Sequence, residues 1–235
     1  MEYVFELVPF KKEDIVKIVS SSKDFFDYYT LPEGPGGYPG ISSIATSIYL
    51  KTVYSVESIP HVRLYDLNRL ALLSIANAVK EFELRGLLLL RGDKPIEGVV
   101  VNDIGSEEAL ILLKKKGYSF PIGLLLSLNY PLERIVDRVS MKADFYYVLN
   151  YSEHKFDTLR EVSKAARKNG SKIYVFILLG IGKNLKLFKK LGQPFVYPEE
   201  LYETLLKLRE IVDGIILSSP LDPVRGVNIL MKYAV

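Results

Sequence analysis

Two carboxylates, one imidazole and one guanidinium stand in this chain where apolar runs end. Glu6 lies inside Phe5-Glu6-Leu7, His61 and Arg63 inside Pro60-His61-Val62-Arg63, and Asp93 after Leu87-Leu88-Leu89-Leu90-Arg91-Gly92. A carboxylate among apolar neighbours is costly to bury unpaired, so Glu6 needs either a partner or a function. Gathered at one place, these groups could do acid/base work or hold a polar cofactor. Each also has a plainer reading. Glu6 is ordinary at an edge, His61 can be a hydrogen-bonded core histidine, and Gly92-Asp93 is common turn chemistry.

The positions of these groups depend on the elements that carry them. Val4–Val8, Asp24–Tyr29, Ser58–Leu64, Leu87–Leu90, Phe120–Leu128, Phe145–Leu149, Ile173–Leu179 and Gly214–Leu217 read as eight strands. Between them lie segments with helical apolar spacing, among them 12–22, 67–83, 105–116, 153–168 and 198–211. Val99–Val101 is a small excursion, and Asp66 and Arg69 are expected to pair at the start of the third helix. Pro32 to Gly40 holds three prolines and four glycines and must be a loop. Strands apolar on both faces and alternating with helices predict a parallel sheet. Eight such units in 235 residues predict an α/β fold, a single (β/α)8 TIM barrel spanning 1–235. An open doubly wound sheet would put a Gly-rich turn after the first strand, where Val8-Pro9-Phe10 stands instead.

In such a barrel function gathers at the C-terminal ends of the strands. That rule selects Glu6, His61, Arg63, Asp93, Ser127, Asn129, Asn150, Ser218 and Ser219 as one mouth. Composition narrows the chemistry. The chain has no cysteine, which removes disulfides and thiolate chemistry, and only two histidines, His61 and His154, so no multi-histidine metal site is expected. A net charge of +3 is too small to imply a nucleic-acid partner. No apolar run is long enough to span a membrane, and Met1-Glu2-Tyr3-Val4-Phe5 has no signal-peptide pattern, so a cytoplasmic location is expected. Gln193 is the only glutamine while Lys, Glu, Ile and Tyr are plentiful, a profile in keeping with a thermophile.

Four segments resemble methylenetetrahydrofolate reductase in its short archaeal or bacterial form. Phe5-Glu6-Leu7-Val8-Pro9 is similar to the family's Phe-Glu-Phe-Phe-Pro-Pro. Pro60-His61-Val62-Arg63 with Asp66, Asn68 and Arg69 is similar to its Pro-His-Leu-Thr-Cys-Arg-Asp-Arg-Asn-Arg. Leu89-Leu90-Arg91-Gly92-Asp93-Lys94-Pro95 resembles its Leu-Arg/Thr-Gly-Asp-Pro-Pro, and Lys142-Ala143-Asp144-Phe145 its Ala-Gly-Ala-Asp-Phe. The resemblance implies a barrel that binds flavin adenine dinucleotide (FAD). The barrel would reduce the methylene bridge of a tetrahydropterin to a methyl group with hydride from a nicotinamide, NADH or NADPH.

Position by position, the resemblance makes Glu6 the acid that helps open the bridged ring. It makes Asp93 the carboxylate beside flavin and pterin. His61, Arg63, Arg91, Gly92, Asn129 and Arg138 become flavin-holding positions. Where the family has Thr-Gln this chain has Val148-Leu149-Asn150, so Asn150 is the implied pterin contact. The seventh strand ends Leu179-Gly180-Ile181 without the family's proline. These departures also suit a repurposed barrel that binds a pterin or assists a methyl-transfer partner. A homo-oligomer or an electron-transfer partner subunit is compatible with so short a chain. A lyase or aldolase is disfavoured because no strand carries a well-placed interior lysine.

Overall fold

The strands pair only with neighbours in chain order, so each connection must cross back over the sheet, and helices fill those crossovers. In the computed structural model, which describes residues 1–234, eight strands form one closed parallel barrel. They are β1 (Glu2–Glu6), β2 (Tyr28–Leu31), β3 (Ser58–Arg63), β4 (Leu87–Leu90), β5 (Ile122–Ser127), β6 (Phe145–Leu149), β7 (Lys172–Leu178) and β8 (Gly214–Ser218). The shell consists of α1 (Lys12–Ser22), α2 (Ser43–Tyr54), α3 (Arg69–Glu81), α4 (Ser106–Lys115), α5 (Leu132–Val139), α6 (Phe156–Lys168), α7 (Gly182–Leu191), α8 (Pro198–Leu208) and α9 (Pro223–Tyr233). Closure is made by β1 on β8, from Glu2 opposite Gly214 to Glu6 opposite Ser218.

Alternation along each strand explains why both faces are apolar. Val4, Tyr28, Ile59, Leu88, Tyr147 and Ile216 are among the side chains that fill the barrel interior. Their neighbours Phe5, Tyr29, Val62, Leu89, Tyr146 and Leu217 pack outward against the helices. The interior is therefore a packed core, and only side chains at the strand ends can meet a ligand.

One close approach sets the shape of that interior. A Cβ on Gly123 would lie 2.1 Å from Cε2 of Phe145, so glycine there makes room for the ring. Gly123→Ala forces Phe145 out of its place, and overpacking of this kind costs about 3 kcal/mol. Urea unfolding should read that loss. A change within about 0.5 kcal/mol, the size of a neutral surface substitution, would contradict the contact.

Several sequence readings shift, the first strand among them, which runs Glu2–Glu6 and not Val4–Val8. The second strand begins at Tyr28, not Asp24, because the amides of Phe25 and Phe26 donate to the Ser22 carbonyl and prolong the end of α1. Asp27 then accepts the Tyr3 amide at 2.7 Å, which pins the entry to β2. Residues 99–101 form no regular element; the Val101 amide donates to the Tyr65 carbonyl at 2.7 Å. Asp66 pairs with Arg63 and Arg69 with Asp103, so the expected Asp66–Arg69 pair is absent among the described residues. Helix α3 starts at Arg69 because Asn68 caps it, accepting the Ala71 amide at 3.0 Å.

Candidate active site at the barrel mouth

Glu6 is the last residue of β1, flanked in register by Thr30 of β2 and Ser218 of β8. The Ser218 hydroxyl donates to Glu6 Oε2. Glu6 remains partly accessible, whereas Ser218 is buried. Burial pushes the Glu6 carboxyl up to about 6, with the Ser218 bond pulling the other way. A carboxyl poised there is half protonated near pH 6 and still about one-tenth protonated at pH 7, where an ordinary glutamate holds almost no proton, so it can serve as a general acid. Opposite it, Leu90, Leu125 and Leu149 present half-buried apolar surface above the interior core.

His61 lies deeper, 5% exposed, with Nε2 2.7 Å from the Thr30 hydroxyl. Burial drives its imidazole down to about 3, so the ring is neutral. Arg63 is also buried. Its Nε donates to Asp66 at 2.7 Å, one terminal nitrogen to the Gly34 carbonyl, and the other to the Asp93 carbonyl at 2.8 Å and to Asp66 at 3.3 Å. Four of the five guanidinium N–H groups are thereby spent on the protein. Gly92 adopts φ +86°, and a Cβ there would come 3.1 Å from Arg63 Cγ, so glycine leaves room for the guanidinium stem.

Asp93 is exposed, and its carboxylate accepts the Gly36 amide at 3.1 Å. The Ile96 amide donates to the Gly37 carbonyl at 3.0 Å, so the β2–α2 and β4–α4 loops are stitched together around Arg63. Arg91 is exposed, lies 5.0 Å over the Tyr65 ring and donates to Asn102 at 3.0 Å. Ser127 gathers the Asn150 side-chain amide at 2.9 Å and the Asn129 amide at 3.2 Å. Lys155 donates to the Asn129 side chain, and Asn150 holds a left-handed φ of +62°. Arg138 lies on the helical shell, donating to the Leu125 carbonyl at 2.8 Å, to Ser106 at 3.1 Å and to Glu107.

The expected residues thus form three groups: Glu6 with Ser218; Arg63, Gly92 and Asp93 in the loop stitch; and Asn129 with Asn150 on Ser127. His61 stands on Thr30, while Arg91 and Arg138 face other partners. Two concavities of about 250 and 270 Å³ share Glu33, Arg63 and Asp66, and neither is lined by Glu6. Each is smaller than the roughly 300–1,000 Å³ of a typical ligand cleft. The arginines matched to flavin-holding positions are committed to Asp66, Asn102 and Glu107, and no common cradle joins them. In this arrangement these residues do not fit FAD. Among the described residues no cluster of three or more His, Cys, Asp or Glu could hold a metal ion, and no helix is long and apolar enough to cross a membrane.

Sequence reasoning missed Thr30, Tyr147 and Glu33. Thr30 and Tyr147 were findable as polar groups at inward-facing positions of apolar strands. Glu33, which accepts the Ser43 amide at 2.7 Å at the start of α2, carries no periodic signal.

No protein-family model matches the chain, and no curated protein matches it in sequence. Solved structures do. One is a chain of the tryptophan synthase complex from Pyrococcus furiosus, with TM-score 0.63 and 14% identity over 99% of this chain and 91% of that one. A second is a mutant tryptophan synthase alpha-subunit from the same organism, with TM-score 0.63 and 14% identity over 98% and 93%. A third, from its tryptophan synthase α2β2 complex, has TM-score 0.63 and 12% identity over 99% and 95%. At such identities the likeness establishes the architecture alone, a (β/α)8 barrel of the TIM kind along almost the whole chain.

Proposed function

We propose that the chain acts on a methylene-bridged tetrahydropterin at the barrel mouth and converts it to the methyl form. The observation that carries this reading is Glu6, a part-buried carboxylic acid held by Ser218 at the end of β1 and pushed up to about 6. It occupies the position that the family resemblance gives to the ring-opening acid. The bridge joins two nitrogens through one carbon. A proton from Glu6 to one nitrogen lets its bond to the bridge carbon break, leaving an iminium on the other. The resulting carboxylate, partly shielded from water, stabilises that cation. Hydride added to the iminium carbon completes the methyl group, and a reduced nicotinamide or an electron-transfer partner subunit would supply it.

The flavin-dependent form of this reading requires Arg63, Arg91 and Arg138 to leave their present partners. That same commitment favours a second reading, a repurposed barrel that binds a tetrahydropterin without turning it over. Titration with FAD and with methylene-tetrahydrofolate, followed by turnover assays with NADH, separates them. Pterin binding with turnover supports the reductase, and flavin absorbance on the purified complex adds the flavin to it. Pterin binding without turnover under any donor supports the second reading. Absence of pterin binding overturns both.

A further inference from the structure

Each of the first six strands is joined to the next by one α-helix, but β7 and β8 are joined by two, α7 and α8. The first of these stays at the mouth. It begins soon after β7, and its Asn184 side-chain amide donates to the Ser219 hydroxyl at 2.8 Å, just past the end of β8. The chain that follows it returns to the same level. There the Val196 amide donates to the Leu178 carbonyl at 2.8 Å, and the Gly180 amide to the Val196 carbonyl at 2.9 Å. Helix α7 therefore lies on the rim of the mouth near Ser218, and α8 starts from that rim.

The sequence of α7 is Gly-Lys-Asn-Leu-Lys-Leu-Phe-Lys-Lys-Leu, with four lysines and no acid. The whole chain carries only +3, so the rest of it is slightly acidic. Asn184 and Phe188 are buried, while Lys183, Lys186 and Lys190, three and four residues apart, share the exposed side with Lys189. Lys189 and Lys190 suit the last turn of a helix, but Lys183 stands in the first, where the helix dipole disfavours a cation. Helix stability thus does not account for the set. None of the four makes an ion pair or a side-chain hydrogen bond among the described residues. Helix α8 has the opposite sign. Glu199 and Glu203 lie one turn apart on its exposed side, next to Tyr202, which is 44% exposed. Neither glutamate forms an ion pair among the described residues, and Lys207, a turn further on, is taken by Glu153.

Spacing matches as well as sign. Lys186 and Lys190 are four residues apart, as are Glu199 and Glu203, and four residues rise about 6 Å along a helix. We infer that two copies of this chain associate about a two-fold axis through this patch, Lys186 and Lys190 of each copy facing Glu199 and Glu203 of the other, with Tyr202 and the exposed Leu191 covered between them. A two-fold axis makes each contact twice from one self-complementary patch. A membrane surface does not fit, because the side of α7 that carries Phe188 is already buried and cannot insert. A long polyanion would run from the lysines of α7 onto the glutamates of α8. Exposed ion pairs are individually weak and screened by salt, so the association is salt-sensitive. The contact borders the mouth on its β7–β8 side and forms whatever the mouth binds.

Sedimentation velocity of the full-length protein tests this. The wild type should be dimeric at about 100 µM in low salt and lose at least about tenfold in affinity at about 0.5 M salt. Lys186→Glu with Lys190→Glu should be monomeric, and so should Glu199→Lys with Glu203→Lys. Mixing these two variants should restore a dimer, because each then meets the opposite charge at both contacts. All four side chains are exposed, so both variants should keep their melting transitions. Lys186→Gln with Lys190→Gln, a milder change, should weaken the dimer in the same direction. A wild type that is monomeric in low salt overturns the proposal and leaves the lysines to an acidic partner of another sequence. So does a dimer that survives both charge reversals, which would put the interface elsewhere, and so does a mixture of the two folded variants that stays monomeric.

Discussion

Glu6→Gln is expected to cut turnover of a methylene-tetrahydropterin by about 10²–10⁴-fold, the usual contribution of a positioned acid, while the barrel stays folded. Glutamine keeps the size of the side chain and can still accept the Ser218 hydroxyl, but it has no proton of suitable acidity to give. The same substitution should alter stability in a way that depends on pH. The folded-state carboxyl sits at about 6 against an ordinary 4.5, with burial as the larger cause. Between those values the native protein holds a proton that the unfolded chain has released. Stability therefore falls as pH rises through that window and is flat above it, by at most about 2 kcal/mol, since Glu6 keeps some contact with water. The glutamine variant should lack this slope and be the more stable protein at neutral pH. Urea titrations below and above the window measure the difference. Identical slopes in the two proteins would remove the raised acid, and unchanged turnover would remove its catalytic role.

The fold was legible because its signals are local and periodic. The run Leu87–Leu90 and the run Phe145–Leu149 fall where the sequence places them, since a buried parallel strand is apolar on both faces. Glu6 was legible for the complementary reason, a charge that breaks such a run at its end. What could not be read was the pairing of polar groups far apart in sequence. Arg63 reaches Gly34 and Asp93, and Arg138 reaches Glu107, through contacts that no spacing along the chain announces. The family resemblance made both of them flavin-holding positions. The structure instead gives those charges to loop carbonyls and carboxylates, which must themselves be satisfied once the loops are laid against the barrel. Thr30 and Tyr147 show the intermediate case. Strand alternation alone places them inward, but only the closed barrel brings Thr30 to His61 and Tyr147 to Tyr28.

Arg63→Ala is expected to destabilise the protein by about 3 kcal/mol, near the lower end for breaking a buried charged pair. Two effects set that size. The Gly34 and Asp93 carbonyls lose their donor, and each unsatisfied acceptor costs on the order of 1–3 kcal/mol if water cannot reach it. Asp66 also loses its partner, but its side chain is 39% exposed and water takes up part of that loss. The stitch between the loops should weaken with it, because Gly37 tolerates the second loop only at very close range. A Cβ on Gly37 would lie 2.1 Å from the Lys94 carbonyl oxygen, so no side chain can substitute for the clamp there. Limited proteolysis within 34–40 and 91–97 should therefore quicken in the alanine variant. Arg63→Lys should recover less than half of the lost stability, since an ammonium cannot span Asp66 and two carbonyls in the fixed geometry of a guanidinium. The opposite result is equally informative. If Arg63→Ala keeps its unfolding midpoint and its protease resistance but loses affinity for a flavin or a pterin, then the guanidinium holds ligand and not loops. The cofactor position suggested by the family resemblance would stand, and the clamp would not.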